Sequence, residues 1–298
     1  KRSRPSERPV SVVPFRNLYP WFVRHGFILQ GVLVSGYLLV SLAGAFLFEG
    51  TYDSGDSIQH YLIAHYAPQH PELLLDHWGK PFFTLLSLPF AAFGLVGIKV
   101  FNILMTLTTT LVAMRIGRRL MGATGWLAGL CVVAAPEIFL AQFSGMTEPA
   151  FGAVLSVALL WLLEGKYMRG ALLFSLLPFL RTEGFLLLPV VAAFLILQHR
   201  NQLFSRKHIA ALLPVLALVT GLGLYSVIGA FHYDMDLTWV FTRNPYAGGQ
   251  QNYGSGTWTH FFEWYPHILG LPICALLVFG LASVVTATFR GPQFQYAT

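Results

Sequence analysis

The feature that most constrains this chain is an apolar run of 23 residues, Gly26 to Phe48, without a single charged side chain. A helix of about 20 apolar residues crosses the hydrocarbon core of a bilayer. Similar runs recur along the 298 residues, of which 55% are hydrophobic and 11% charged. Soluble domains carry about 25% charged residues. The sequence therefore predicts an all-α integral membrane protein.

The basic residues stand in short clusters between the apolar runs. These clusters are 1–25, 115–119, 164–169, 199–208 and Arg290. Cytoplasmic loops of membrane proteins are enriched in Lys and Arg, so the pattern predicts a cytoplasmic N-terminal tail, residues 1–25, and a polytopic transmembrane domain, residues 26–298. In such a chain a basic balance does not indicate nucleic acid, and membrane lipids are the expected surroundings.

All these clusters fall on one side if residues Gly170 to Gln198 form two short helices with Arg181–Glu183 at the outer tip. A single span there would bury Arg181 and Glu183 at the bilayer centre, at a cost of several kcal/mol. About eight membrane-crossing helices result: 26–48, 98–114, 123–143, 149–163, two within 170–198, 209–231 and 267–289. An interfacial or re-entrant helix is expected at 81–97, which Pro89 and Gly94 interrupt. Two long loops, 49–80 and 232–266, then face the side opposite the basic clusters.

Carboxylates follow the first apolar run and occupy a short corner further on. Asp53 and Asp56 flank Ser54-Gly55 in the first long loop, and Glu148 lies between two predicted spans. Such carboxylates suit a general base that accepts a proton from a hydroxyl group. The alternative for Asp56 is capping of a predicted amphipathic helix, Ser57 to Tyr66. For Glu148 it is stabilisation of a helix N-terminus.

Cationic side chains are scarce on this outer side. Lys80, in Asp76-His77-Trp78-Gly79-Lys80-Pro81, suits a lipid-linked phosphate, although a lysine here can also extend to the interface for solvation alone. Arg181 and Glu183 either contact the substrate or pair with each other.

The two long loops also contain histidines and aromatic residues that are candidates for ligand binding. His60 belongs to a group of four whose spacing matches no zinc pattern, so no metal site is predicted, although a loosely held divalent cation near Asp53 and Asp56 stays possible. The loop 232–266 is rich in aromatic, Gly and amide residues that suit a sugar ring or a polyprenyl chain, or an interfacial aromatic belt. The candidates for substrate contact there are Tyr246, Tyr253 and Trp258.

In their order, these elements resemble the GT-C superfamily of polytopic membrane glycosyltransferases, especially the bacterial branch of protein mannosyltransferases and the lipid A aminoarabinose transferase. The resemblance covers about residues 26 to 198 and depends on short motifs taken in order: Asp56-Ser57 through Tyr66, Gly79-Lys80-Pro81, Phe90 to Gly94, Met146-Thr147-Glu148-Pro149 and Leu180-Arg181-Thr182-Glu183-Gly184. Three positions depart from the family pattern, namely Ser57, Phe82 and Lys99.

The resemblance implies an enzyme of the bacterial inner membrane that moves a sugar from a polyprenyl-phosphate donor to a hydroxyl acceptor at the periplasmic face. Asp56 or Asp53 would act as base and Glu148 as the second acidic residue. Lys80 and Arg181 would contact the donor phosphate. Since most members are longer, the alternative is a catalytically inactive accessory subunit with partner membrane subunits. A lipid or sugar transporter is a third reading, disfavoured because the charges gather at one face rather than at mid-membrane.

Overall fold

The computed structural model describes residues 18–53, 55–198, 208–242 and 259–290, and the regular secondary structure in these ranges is entirely helical. The helices that we label are α1 Leu18–Leu47, α2 Asp56–Tyr66, α3 Pro81–Ala91, α4 Gly94–Met121, α5 Leu127–Ala134, α6 Pro136–Ala141, α7 Glu148–Leu163, α8 Tyr167–Leu176, α9 Gly184–Gln198, α10 His208–His232 and α11 Trp239–Thr242. Two further helices, His260–Leu269 and Leu271–Arg290, follow.

Among the described residues, three helical segments are long and apolar enough to cross a membrane, namely Pro20–Leu47, Gly94–Ala134 and Leu213–His232. The second of these includes the turn at Gly122 between α4 and α5. A fourth span results if the last two helices, which meet at 120°, are counted as one. Four shorter apolar helices accompany them, Pro81–Ala91, Glu148–Leu163, Tyr167–Phe179 and Gly184–Gln198. The fold is therefore that of a helical membrane protein, and the number of eight crossings stays a prediction.

Several predicted elements are present with shifted boundaries. The helix predicted from Ser57 to Tyr66 is confirmed as α2, which begins one residue earlier. The expected helix at 81–97 ends at Ala91, because the helix is interrupted at Phe93 and Gly94 adopts a φ of 73°. Pro89 does not end it, since this residue lies inside α3. Residues 94–97 therefore begin α4. The two helices expected within 170–198 are α8 and α9, and they join at residues 180–183.

Two predicted spans are broken. Residues 123–143 form α5 and α6, which separate at Ala135, because the residue before a proline is driven out of helical geometry. The last span, predicted at 267–289, is divided by Gly270, whose φ is 81°. The preceding loop contains α11 and most of His260–Leu269, so it is partly helical where the structure describes it.

Helices α4 and α5 form a hairpin. The chain turns at Gly122, with a φ of 65°, and Gly129 packs against the side chain of Met114. At the turn the backbones of Gly117 and Gly125 approach so closely that a Cβ on Gly117 would lie 2.3 Å from the carbonyl oxygen of Gly125. Small residues at such crossings allow helices in membranes to pack at short distance.

The main core lies between α3, α4, α7, α8, α9 and α10. It is built from buried aromatic and aliphatic side chains, among them Phe83, Phe101, Leu177 and Leu195. Because α7 presents Ala150 and Ala158 to this core, its neighbours approach it closely. The core thus fixes the position of the N-terminus of α7, where Glu148 stands.

The charged residues gather at two opposite ends of this bundle. Helix α7 has 16 residues, which corresponds to a length of about 24 Å. Just beyond its C-terminus, Glu164 accepts hydrogen bonds from Arg115 and Lys166. Glu148 begins the same helix at the other end, so the described clusters 115–119 and 164–169 are separated from Glu148 by the length of α7.

Candidate functional site

A cavity of about 290 Å³ opens at the end of the bundle where Glu148 lies. Its lining comes from four separate segments of sequence: Asp56, His60, Trp78, Lys80, Met146, Thr147, Glu148, Arg181, Thr182 and Glu183. Six of the ten residues predicted from sequence are thus brought together, namely Asp56, His60, Lys80, Glu148, Arg181 and Glu183.

Four helices begin at this cavity. Asp56 and Glu148 are the first residues of α2 and α7, while Lys80 and Glu183 immediately precede α3 and α9. The N-terminus of a helix bears a partial positive charge and unpaired backbone N–H groups. The helix ends thus add positive potential to a cavity whose side chains include three carboxylates.

Asp53 does not line the cavity. It lies two residues before Gly55, the N-cap position of α2, and its carboxylate binds the first turn of that helix. Its Oδ2 accepts hydrogen bonds from the backbone N–H groups of Ser57, at 2.9 Å, and Gly55, at 3.3 Å. The hydroxyl of Ser57 donates to Oδ1 at 2.5 Å. Partial burial disfavours the charged form, but the bonds from Ser57 outweigh it and hold the pKa of Asp53 below its ordinary value. The capping role considered for Asp56 therefore belongs to Asp53.

Asp56 faces the cavity with its carboxylate uncommitted. Among the described residues it has no hydrogen bond or ion pair, whereas Glu148 and Glu183, the other two acids of the lining, both pair with Arg181. An unpaired carboxylate at a cavity wall is free to accept a proton from an incoming hydroxyl.

Arg181 links the two other carboxylates. One guanidinium nitrogen contacts Glu148 Oε1, and the other donates to Glu183 Oε1 at 2.7 Å. Burial of the guanidinium opposes its charge, but the bond to Glu183 and the field of Glu148 prevail and raise the pKa of Arg181. The pairing of Arg181 with Glu183, which the sequence left open, is present, and its extension to Glu148 was not foreseen.

Lys80 is a buried cation, with 4% of its surface exposed. Its Nζ donates to the hydroxyl of Thr182 at 3.2 Å. Burial lowers the pKa of Lys80, while Glu183 works in the opposite direction. Its φ of 60° is unusual for a residue with a side chain, and backbone conformations of this kind cluster at functional sites.

His60 connects α2 to two other cavity segments. Its Nδ1 lies 3.1 Å from the carbonyl oxygen of Gly145, and its Nε2 lies 3.2 Å from that of Trp78. A neutral imidazole has a single N–H and can donate to one of these oxygens, whereas the imidazolium donates to both. Because burial lowers the pKa of His60, the neutral ring with one donated bond prevails at neutral pH.

Three predicted substrate-contact residues and a possible cation site remain to be placed. Tyr246, Tyr253 and Trp258 lie outside the described residues. In the part of the chain that the structure covers, no three His, Cys, Asp or Glu side chains come together as metal ligands, so the divalent cation near Asp53 and Asp56 stays a prediction.

The sequence reasoning missed several members of the site. Trp78, Thr147 and Thr182 each adjoin or lie close to a residue that was singled out, and that proximity was the available signal. Asn102 is fully buried in α4 and donates to the carbonyl oxygens of Ser144, at 2.9 Å, and Met146, at 3.0 Å. A lone amide in an apolar run gave no indication of these contacts.

No protein-family model, curated protein or solved structure matches this chain. The resemblance to polytopic glycosyltransferases therefore stays an expectation from the short sequence motifs.

Proposed function

We propose that this protein is a GT-C-like glycosyltransferase, which moves a sugar from a polyprenyl-phosphate donor to a hydroxyl acceptor at the outer face of a bacterial inner membrane. The observation that carries the proposal is the convergence of Asp56, Lys80 and Glu148 on one cavity. These residues come from three segments spread over some ninety positions of sequence. Had they lain at different ends of the bundle, the proposal would have failed.

The cavity has the parts that a phosphate leaving group requires. Lys80 supplies a buried cation, and the N-termini of α2, α3, α7 and α9 add positive potential. Preorganised positive groups in a site that excludes water stabilise the charge that develops on a departing phosphate.

An apolar groove of about 400 Å³ adjoins this cavity and suits the polyprenyl chain. Pro81 and Phe82 line the groove, and Lys80, the preceding residue, lines the charged cavity. The remaining wall comes from Leu74, Leu75, Leu85, Leu176, Leu224, Ile228 and Tyr233. A donor with its phosphate at Lys80 can therefore place its tail against an apolar surface.

The proposed reaction uses the uncommitted carboxylate as base. Asp56 accepts the proton of the acceptor hydroxyl, whose oxygen forms a bond to the anomeric carbon. The bond between that carbon and the phosphate oxygen breaks, and the electron pair leaves with the polyprenyl phosphate beside Lys80. Glu148 and Glu183, both held by Arg181, contact the sugar.

The proposed topology follows from charge. Because Lys and Arg are enriched on the cytoplasmic side, the end with Arg115, Arg119 and Lys166 is placed inside, together with the N-terminal tail. The cavity then faces the periplasm, where nucleotide sugars are absent and a lipid-linked donor is required. This topology includes the eight crossings predicted from sequence.

The alternative function is that of an inactive accessory subunit of a larger membrane complex. The pairing of Arg181 with two carboxylates favours it, because a guanidinium already bound to Glu148 and Glu183 is less available to a donor phosphate. The uncommitted state of Asp56 favours the enzyme, since a purely structural residue would be expected to have a partner.

The deciding experiment is incubation of the purified protein in lipid nanodiscs with polyprenyl-phosphate sugars and hydroxyl acceptors, followed by mass analysis. We expect a glycosylated product and release of polyprenyl phosphate. Asp56→Asn should reduce the rate by about 10²–10⁴-fold, the usual contribution of a general base. Glu72→Gln is the matched control, because Glu72 is an exposed acid of the same loop outside the cavity. Equal rates for the two variants would exclude Asp56 as base.

A further inference from the structure

The corner between α6 and α7, residues 142–147, leads directly into Glu148. Three successive carbonyl groups of this corner are engaged by side chains from other helices. Asn102 Nδ2 donates to Ser144 O and Met146 O, and His60 Nδ1 lies 3.1 Å from Gly145 O. The corner is therefore held by Asn102 of α4 on both sides of Gly145, and His60 of α2 lies against Gly145 itself.

The backbone of the corner also fits tightly against α2. A Cβ on Gly145 would lie 2.4 Å from the carbonyl oxygen of Ser57. On its other side, the hydroxyl of Tyr37 from α1 hydrogen-bonds to Gln142. Helices α1, α2 and α4 thus all contact this short segment, which leaves Glu148 little freedom to move relative to Asp56, at the first position of α2.

The amide of Asn102 is well suited to binding the corner, although its burial is unfavourable for the stability of the fold. A primary amide has two N–H donors on one nitrogen, so it can serve two carbonyl groups at once. Its Oδ1 is buried and has no hydrogen-bond partner among the described residues, and a buried acceptor of that kind is unfavourable. A leucine of similar size would avoid this cost but could not hold the corner.

We propose that Asn102 is a positioning residue of the cavity, which fixes the corner and thereby sets the distance between Glu148 and the base Asp56. The inference depends on the proposed function for its catalytic consequence. Its structural part, that the corner is held by Asn102, is independent of that function.

The test compares Asn102→Leu with Thr110→Val. Thr110 is equally buried on α4, but its hydroxyl donates to Thr106 O of its own helix, so this variant controls for loss of a buried polar group. Hydrogen exchange of peptides spanning 142–148 should rise at least tenfold in Asn102→Leu and stay at the wild-type level in Thr110→Val. Unchanged exchange in Asn102→Leu would overturn the proposal.

Sugar transfer supplies the second readout. We expect kcat per folded molecule to fall more than tenfold in Asn102→Leu, with the KM for the donor within twofold of wild type, because donor contacts remain. A wild-type kcat in Asn102→Leu would show that the corner plays no part in catalysis. If the wild-type protein transfers no sugar, the proposed function fails, and the exchange data alone decide whether Asn102 holds the corner. Asn102→Gln, which keeps both donors, should restore part of the protection and shows that the amide is required.

Discussion

The two charged ends of the bundle differ in how their charges are used. At the basic end, Glu164 is surrounded by Arg115, Arg119 and Lys166, whose side chains are 44–57% exposed. The bonds from Lys166 and Arg115 hold the pKa of Glu164 below its ordinary value. At the cavity end, Lys80 is 4% exposed, and Asp56 has no polar partner among the described residues.

Under the proposed function, this difference separates charges that set the orientation in the membrane from charges that take part in the reaction. The Glu164 side chain is itself only 5% exposed, but its three cations are exposed and solvated. Loss of one exposed cation among three therefore costs little stability. A buried cation such as Lys80 is costly to keep charged, and ionisable groups beside apolar membrane helices are functional hypotheses by default. The comparison predicts that equivalent substitutions at the two ends have unequal consequences.

The largest difference is expected between the two lysines. Lys80→Met should reduce transfer by about 10²–10³-fold, the usual loss for one preorganised group that stabilises developing charge. Lys166→Met should change the rate less than about twofold, because an exposed rim charge acts weakly. Initial rates with saturating acceptor measure both. Similar rates for the two variants would remove the distinction between the ends.

A smaller difference is expected between the two arginines. Arg181→Ala leaves Glu148 and Glu183 as neighbouring carboxylates without their cation, and should lower the free energy of unfolding by about 1–2 kcal/mol, after allowance for the partial exposure of the pair. Arg115→Ala leaves Glu164 with Arg119 and Lys166, so we expect a smaller loss. Chemical denaturation in detergent micelles provides the measurement.

The two ends also show which residues of the site can be predicted from the sequence. The cavity residues were found because ionisable groups are rare in this chain and each one stands out beside an apolar run, as Lys80 and Glu148 do. The helix pair around Arg181 was predicted for the same reason, since a charge at mid-membrane is unfavourable. Charge scarcity thus located most of the site without any knowledge of distances.

Partnerships across the bundle could not be predicted in this way. Asp53 and Asp56 are three residues apart and chemically identical, and only the φ of 127° at Gly55 and the path of the loop decide which one caps α2. Asn102 contacts a corner more than forty residues away. The interruptions of two predicted spans at Ala135 and Gly270 were not predicted either, because an apolar run has the same composition whether or not the helix is interrupted.

The last prediction separates these two aspartates. Asp53→Ala should lower the free energy of unfolding at neutral pH by about 1 kcal/mol, the usual effect of losing a side chain that binds the N–H groups at a helix start. Because the folded-state pKa of Asp53 is lowered, its stabilising effect is fully present above the ordinary aspartate pKa and is lost as the pH falls through the lower, folded-state value. The difference from wild type should therefore shrink steadily below pH 4. Asp56→Asn should lower stability by less than Asp53→Ala over the same range, since Asp56 has no hydrogen bond or ion pair to lose among the described residues and loses only the weak attraction of its charge to the start of α2. A larger pH-dependent loss in Asp56→Asn than in Asp53→Ala would assign the cap to Asp56 and return Asp53 to consideration as the base.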